Sequence, residues 1–238
     1  MVSKKSATLN LFGADIMTNI LLEGFDINAP WLYDELKNYI KPDYTVAVIA
    51  FSFRDNRIKC LSDWNELYSK KSGKYYNGIV SGLTAYGISE NNITFVHYIS
   101  DTKEIAAQKI QNADIVYFLG GLPDRTMDRI NEFDLYDTLL NHNGVIMGYS
   151  AGAVIQLAEY HLSPDEDYKE FSFYKGIPYL NDFYLEVHYE NTEKQNAAIQ
   201  KVIKERGKTV YATLLGKGAI IVHNGTINLL GEVRTFYC

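Results

Sequence analysis

The chain has 238 residues, 47% hydrophobic and 13% aromatic, which is enough to bury a sizeable core as a single domain spanning 1–238. A net charge of −6 with an isoelectric point near 5.4 speaks against a sequence-independent nucleic-acid binder. The polar start Met1-Val2-Ser3-Lys4-Lys5-Ser6 carries no apolar leader, and no run of about 18 apolar residues follows, so a cytoplasmic protein without membrane contact is expected.

Taken in order, strand-like and helix-like pieces alternate. Ala7 to Gly13 reads as an opening strand, and Pro30 to Ile40 as a helix, with Pro30 in its first turn and Leu32, Leu36 and Ile40 along one face. Tyr44 to Phe51 is a continuous apolar strand of the kind buried on both faces of a parallel sheet. Cys60 to Tyr86 is long, amphipathic and tyrosine-rich, with a break expected near Ser72-Gly73. A strand over Ile93 to Ile99 and a helix over Thr102 to Gln111 follow, with Ile105, Ala106 and Ile110 inward. Ile115 to Leu119 is a strand that ends in Gly120-Gly121, where a double glycine lets a ligand approach the backbone. A helix from Pro123 to Asn141 leads to the apolar strand at Val145. Such alternation implies an α/β sandwich with a largely parallel sheet, whose ligands gather at the carboxyl ends of the strands.

Gly148-Tyr149-Ser150-Ala151-Gly152 then places a serine at a strand-to-helix elbow. Its small neighbours suit a strained turn, and the amide of Ala151 at the helix start is free to donate to developing negative charge. Ser150 is therefore a candidate nucleophile, and a small-residue turn with no chemistry is the alternative. Beyond the elbow, Glu159 to Phe173 is polar and acidic and reads as a surface loop or a loop that supplies an acid. Phe183 to Tyr189 returns to a strand with His188 near its end, and Asn191 to Arg206 is a helix. Strand-like runs at Thr209 to Leu214, Ala219 to His223 and Thr226 to Leu230 close the chain, the last two joined by the hairpin signal Asn224-Gly225.

A serine hydroxyl needs a base within hydrogen-bond reach. Among the five histidines, His188 arrives at a strand end downstream of Ser150, His97 sits within a strand, and His142, His161 and His223 read as loop or edge positions. His188 is the candidate base, with a strand-end histidine of no role as its alternative. Arg125 and Arg129 lie i, i+4 on the helix after the double glycine. Either could meet a substrate carboxylate, or both could be a solvated face. The cysteines, Cys60 and Cys238, have no metal or redox spacing and are expected as free thiols, and neither a metal nor a cofactor is implied.

The double glycine, the run Gly-Tyr-Ser-Ala-Gly-Ala over 148–153, the acidic loop, and a strand ending Val-His-Tyr with its histidine 38 positions after the serine together resemble the S51 serine peptidases, the family of dipeptidase E and cyanophycinase. That resemblance, from about Leu9 to Val233, implies a class I glutamine amidotransferase-like (flavodoxin-like) α/β/α sandwich. It also implies Ser150 as nucleophile, His188 as general base, and the amides of Gly121 and Ala151 as oxyanion hole. The triad acid falls among Asp165, Glu166 and Asp167, with Asp165 first and Asp167 second. The implied substrates are short peptides, with an N-terminal aspartate as in dipeptidase E or β-linked aspartyl chains as in cyanophycinase, and the implied assembly is a monomer or homodimer. Where dipeptidase E relatives read Gly-Gly-Asn-Thr, this chain reads Gly120-Gly121-Leu122-Pro123-Asp124-Arg125, so its substrate recognition departs from theirs. The rival readings are an amidotransferase-like binding or regulatory protein without turnover, and glutamine amidotransferase chemistry, which needs a cysteine at the elbow.

Overall fold

The structure, a computed structural model, describes residues 17–70 and 72–238, so the strand read over Ala7 to Gly13 lies outside it. Five short strands lie parallel: β1 (Thr18–Leu22), β2 (Val46–Ile49), β3 (Ile93–Val96), β4 (Ile115–Phe118) and β5 (Val145–Tyr149), in the order β1-β5-β4-β2-β3. Alternate residues of these strands enter two separate cores. Ile20, Val48, Tyr117 and Met147 pack on one face against Leu36, Trp64 and Leu83. Leu21, Ile49, Phe118 and Ile146 pack on the other against Ile110, Ile130 and Leu139. Helices therefore cover both faces, which explains why the central strands β2, β4 and β5 read as apolar runs rather than alternating.

The first face carries α1 (Pro30–Leu36), α2 (Leu61–Tyr68) and α3 (Tyr76–Thr84). The segment from Cys60 breaks between α2 and α3, where a side chain on Gly73 would meet the Ser69 amide nitrogen at 2.6 Å. The second face carries α4 (Lys103–Gln111), α5 (Pro123–Glu132) and α6 (Tyr136–Leu140). Thr102 caps α4 through the Ile105 amide, and Ala106 and Ile110 are buried one turn apart. Ile105 is 44% exposed, a correction to its inward placement: its position is about 100° around the helix from Ala106. The helix expected from Pro123 to Asn141 is two, separated at Asp134, whose φ of 55° no helix continues.

After β5, the short α7 (Ala151–Val154) leads into a two-stranded hairpin, β6 (Glu159–Leu162) with β7 (Ser172–Lys175). The acidic stretch expected as one loop is thus a hairpin with a loop only at its tip, and His161 is buried within β6. The remaining elements are β8 (Phe183–Tyr189), α8 (Glu193–Arg206), β9 (Thr209–His223) and β10 (Thr226–Phe236). The two runs read as separate strands in the tail are one long strand, β9, paired with β10 along its length. At their junction Asn224 and Gly225 have φ of 49° and 73°, as a tight primed turn requires.

The bend in β9 positions the site. One side of β9 faces two strands in succession: β8 lies parallel along Thr209 to Leu214, and β1 lies antiparallel along Ala219 to His223. The carboxyl ends of β1 and β8 therefore converge on the residues between, and Glu23, just past β1, donates its amide to the Gly218 carbonyl at 3.1 Å.

Candidate active site

Ser150 sits between β5 and α7 with φ 51° and ψ −114°, a conformation that non-glycine residues avoid and that costs about 1–3 kcal/mol. Its amide is held by the Leu22 carbonyl at 2.9 Å, which ties the elbow to the end of β1. The flanking glycines are required by close approach: a Cβ on Gly148 would lie 2.1 Å from the Gly152 carbonyl oxygen, and one on Gly152 2.3 Å from that of Phe118.

His188 reaches the elbow from β8. The pairing of β8 with β9 loses register between Glu186 and Tyr189, and His188 has φ 53°, so its ring turns away from the strand's regular alternation. Its Nε2 lies 2.7 Å from the Ser150 hydroxyl oxygen. Its Nδ1 lies 2.5 Å from Glu23 Oε1, and its backbone amide donates to Glu23 Oε2 at 3.0 Å. Glu23 is 2% exposed and also receives the Thr213 hydroxyl and the Gly216 amide, each at 3.4 Å. A carboxylate facing Nδ1 selects the tautomer with its proton there, leaving the Nε2 lone pair toward Ser150. The hydrogen bond to Glu23 and its charge raise the His188 pKa above the usual 6.5, against the opposing effect of burial.

The carboxylate beside His188 is thus Glu23, and this corrects the placement of the acid at Asp165 or Asp167. Asp165 accepts from the amides of Asp167 and Tyr168, both at 2.8 Å, and closes its own turn. Asp167 is held by Arg54 at 2.6 Å, and Glu166 is exposed. The hairpin tip is also tethered through the Tyr168 hydroxyl to Asp124 at 2.6 Å. The signal that could have found Glu23 is a carboxylate followed by glycine directly after the short apolar run Ile20-Leu21-Leu22.

The double glycine is fixed by the end of β2. The Ser52 hydroxyl donates to the Gly120 carbonyl, and the Leu122 amide donates to the Ser52 carbonyl at 2.8 Å. Gly121 has φ 140°, and a Cβ there would lie 2.3 Å from the Ser52 carbonyl oxygen. Among the described residues, the amides of Gly121 and Ala151 donate to no protein acceptor. Gly121, Ser150, His188 and Glu23 line one cavity of about 720 Å³ at the carboxyl ends of the strands.

Arg125 does not line that cavity. It pairs with Asp55 at 3.3 Å and Asp128 at 3.1 Å beside a smaller neighbouring hollow. Arg129 is buried, donating to the carbonyls of Phe51 and Phe53 and to Asp55 at 2.8 Å, with its guanidinium 3.6 Å from the Phe53 ring centroid. It clamps the segment after β2 rather than offering a free cation to a ligand. Among the described residues, no group of three or more His, Cys, Asp or Glu side chains could hold a metal ion, and no helix is long and apolar enough to cross a membrane.

Comparison with known proteins agrees with this architecture. A protein from Listeria monocytogenes EGD-e described as a peptidase E superposes with a TM-score of 0.60 at 18% identity, covering 94% of this chain and 99% of that one. A peptidase from an acI-B1 Actinobacterium does so with a TM-score of 0.61 at 14% identity, covering 94% and 95%. These likenesses establish a shared α/β fold. No curated protein matches the sequence. Residues 68–230, most of the chain and the part that contains Ser150 and His188, match Peptidase family S51, and the chain belongs to that family.

Proposed function

We propose that this chain is a serine-type peptidase that cleaves short peptides, with Ser150 as nucleophile, His188 as general base and Glu23 as the carboxylate that orients it. The observation that carries the reading is the contact series Glu23, His188, Ser150, at 2.5 and 2.7 Å, on a strained elbow inside a cavity. Ser150 Oγ attacks the amide carbonyl while His188 Nε2 takes its proton, and the imidazolium so formed is stabilised by Glu23 at Nδ1. The oxyanion is met by the amides of Gly121 and Ala151, two donors with no competing protein acceptor among the described residues. His188 returns the proton to the leaving amine, and water then releases the acyl group by the same base. The substrate is short because a cavity of about 720 Å³ accommodates a few residues rather than a folded chain.

The test pairs labelling with turnover. A fluorophosphonate probe should label the wild-type protein and not Ser150→Ala, and amino-acid release from a dipeptide mixture should be lost in the same variant, by about 10⁴-fold or more. A folded wild-type protein that neither labels nor hydrolyses any peptide would instead be a binding protein that keeps the family's shell.

A further inference from the structure

The cavity has an aromatic wall that the proton transfers do not use. The Tyr149 ring lies across Gly120, where a Cβ would come within 2.4 Å of a ring carbon. Phe25, two residues past Glu23, stands 6.3 Å from it between ring centroids and is 61% exposed. Tyr68 and Tyr75 form a second pair, 6.0 Å apart, on the same cavity. Leu215, 58% exposed at the bend of β9, completes the lip. Phe25 and Leu215 are thus large apolar side chains left in water on the cavity that Glu23 also lines.

Apart from Arg57, the charged groups on the wall are already occupied. Glu23 is bound to His188, and Arg54 and Asp167 neutralise each other at 2.6 Å. Arg57 remains, half exposed and 3.9 Å from Glu66, where water competes for it. The wall thus offers broad ring surface and little uncompensated positive charge. An aspartate side chain would cover little of that surface, and its carboxylate would find only Arg57, itself solvated beside Glu66, as a cationic partner.

Resting on the serine peptidase reading above, we propose that the site selects short peptides with an aromatic side chain next to the scissile amide, seated against Phe25, Tyr75 and Tyr149. This departs from the aspartate preference that the family resemblance implies. The test is a dipeptide panel with Phe, Tyr, Ala or Asp at each position, assayed with the wild-type protein and Phe25→Ala. In one position, kcat/KM for the aromatic substrates should exceed that for Ala on the order of tenfold or more. Phe25→Ala should shrink that ratio severalfold, mainly through KM, and its exposure leaves the fold intact on truncation. Preference for Asp, an unchanged ratio in Phe25→Ala, or no turnover of the panel by a protein whose Ser150 still labels overturns this inference alone. Loss of fluorophosphonate labelling in the folded wild type overturns the underlying reading instead.

Discussion

One carboxylate holds His188 twice: Glu23 receives the ring at 2.5 Å and the backbone amide of the same residue at 3.0 Å. Ring orientation and strand end are therefore fixed by a single buried side chain. On the proposed mechanism, Glu23→Gln lowers kcat by about 10³–10⁴-fold, because the amide no longer selects the base-competent tautomer. Asp165→Ala, which removes only a turn-closing acceptor, leaves kcat within severalfold of wild type. Steady-state kinetics on the three proteins decide between the acids, and a large loss in Asp165→Ala with kcat retained in Glu23→Gln would return the role to the hairpin loop.

The same contact sets the pH dependence. Hydrogen bonding to Glu23 and its charge hold the His188 pKa above 6.5 despite burial. Because the base must be neutral, kcat/KM should rise with pH along a limb centred above 6.5, and in the residual activity of Glu23→Gln that limb should move down. Stability runs the other way. A folded-state pKa above the unfolded value contributes stability that is fully present below 6.5 and is lost as pH rises through the raised value. A rate profile together with an NMR titration of the His188 ring checks both signs, and a limb at or below 6.5 would contradict them.

Backbone crowding at the elbow makes a stability prediction. In Gly152→Ala the new methyl meets the Phe118 carbonyl oxygen at 2.3 Å, backbone against backbone, so neither can swing aside. The expected cost is about 1–3 kcal/mol, a fall in Tm of several degrees, with loss of activity as the elbow shifts. Gly78→Ala in α3, where nothing lies within 4 Å, should be neutral or stabilising. Thermal melts of the two variants give the contrast.

The two arginines of α5 should separate in the same way. Arg129→Ala leaves the Phe51 and Phe53 carbonyls and Asp55 without their donor and should cost about 3 kcal/mol or more. Arg125→Ala removes surface pairs from a side chain that is 43% exposed and should cost under about 1 kcal/mol. Urea unfolding measures both, and equal midpoints would refute the clamp assigned to Arg129.

Local rules accounted for much of what was legible beforehand. Continuous apolar runs marked β2, β4 and β5, the Asn224-Gly225 pair marked the final hairpin, and Gly-x-Ser-x-Gly marked the elbow, because each is decided by the residue and its immediate neighbours. Ile105 and His161 escaped because burial depends on what packs above them. An isoleucine one step around from Ala106 faces out, and a histidine in an acidic stretch is buried because Glu186 meets it at 2.7 Å from β8.

The sequence by itself determined an alternating α/β chain and a serine that its glycines force into a strained turn. Which carboxylate stands behind His188 was decided only in three dimensions. The bend in β9 brings the ends of β1 and β8 to one point, and no spacing along the chain encodes the meeting of Glu23 with a residue 165 positions later. The acidic loop was the nearer acid in sequence, but there Asp165 closes its own turn and Asp167 is paired with Arg54, and proximity in a folded sheet follows strand order rather than chain order.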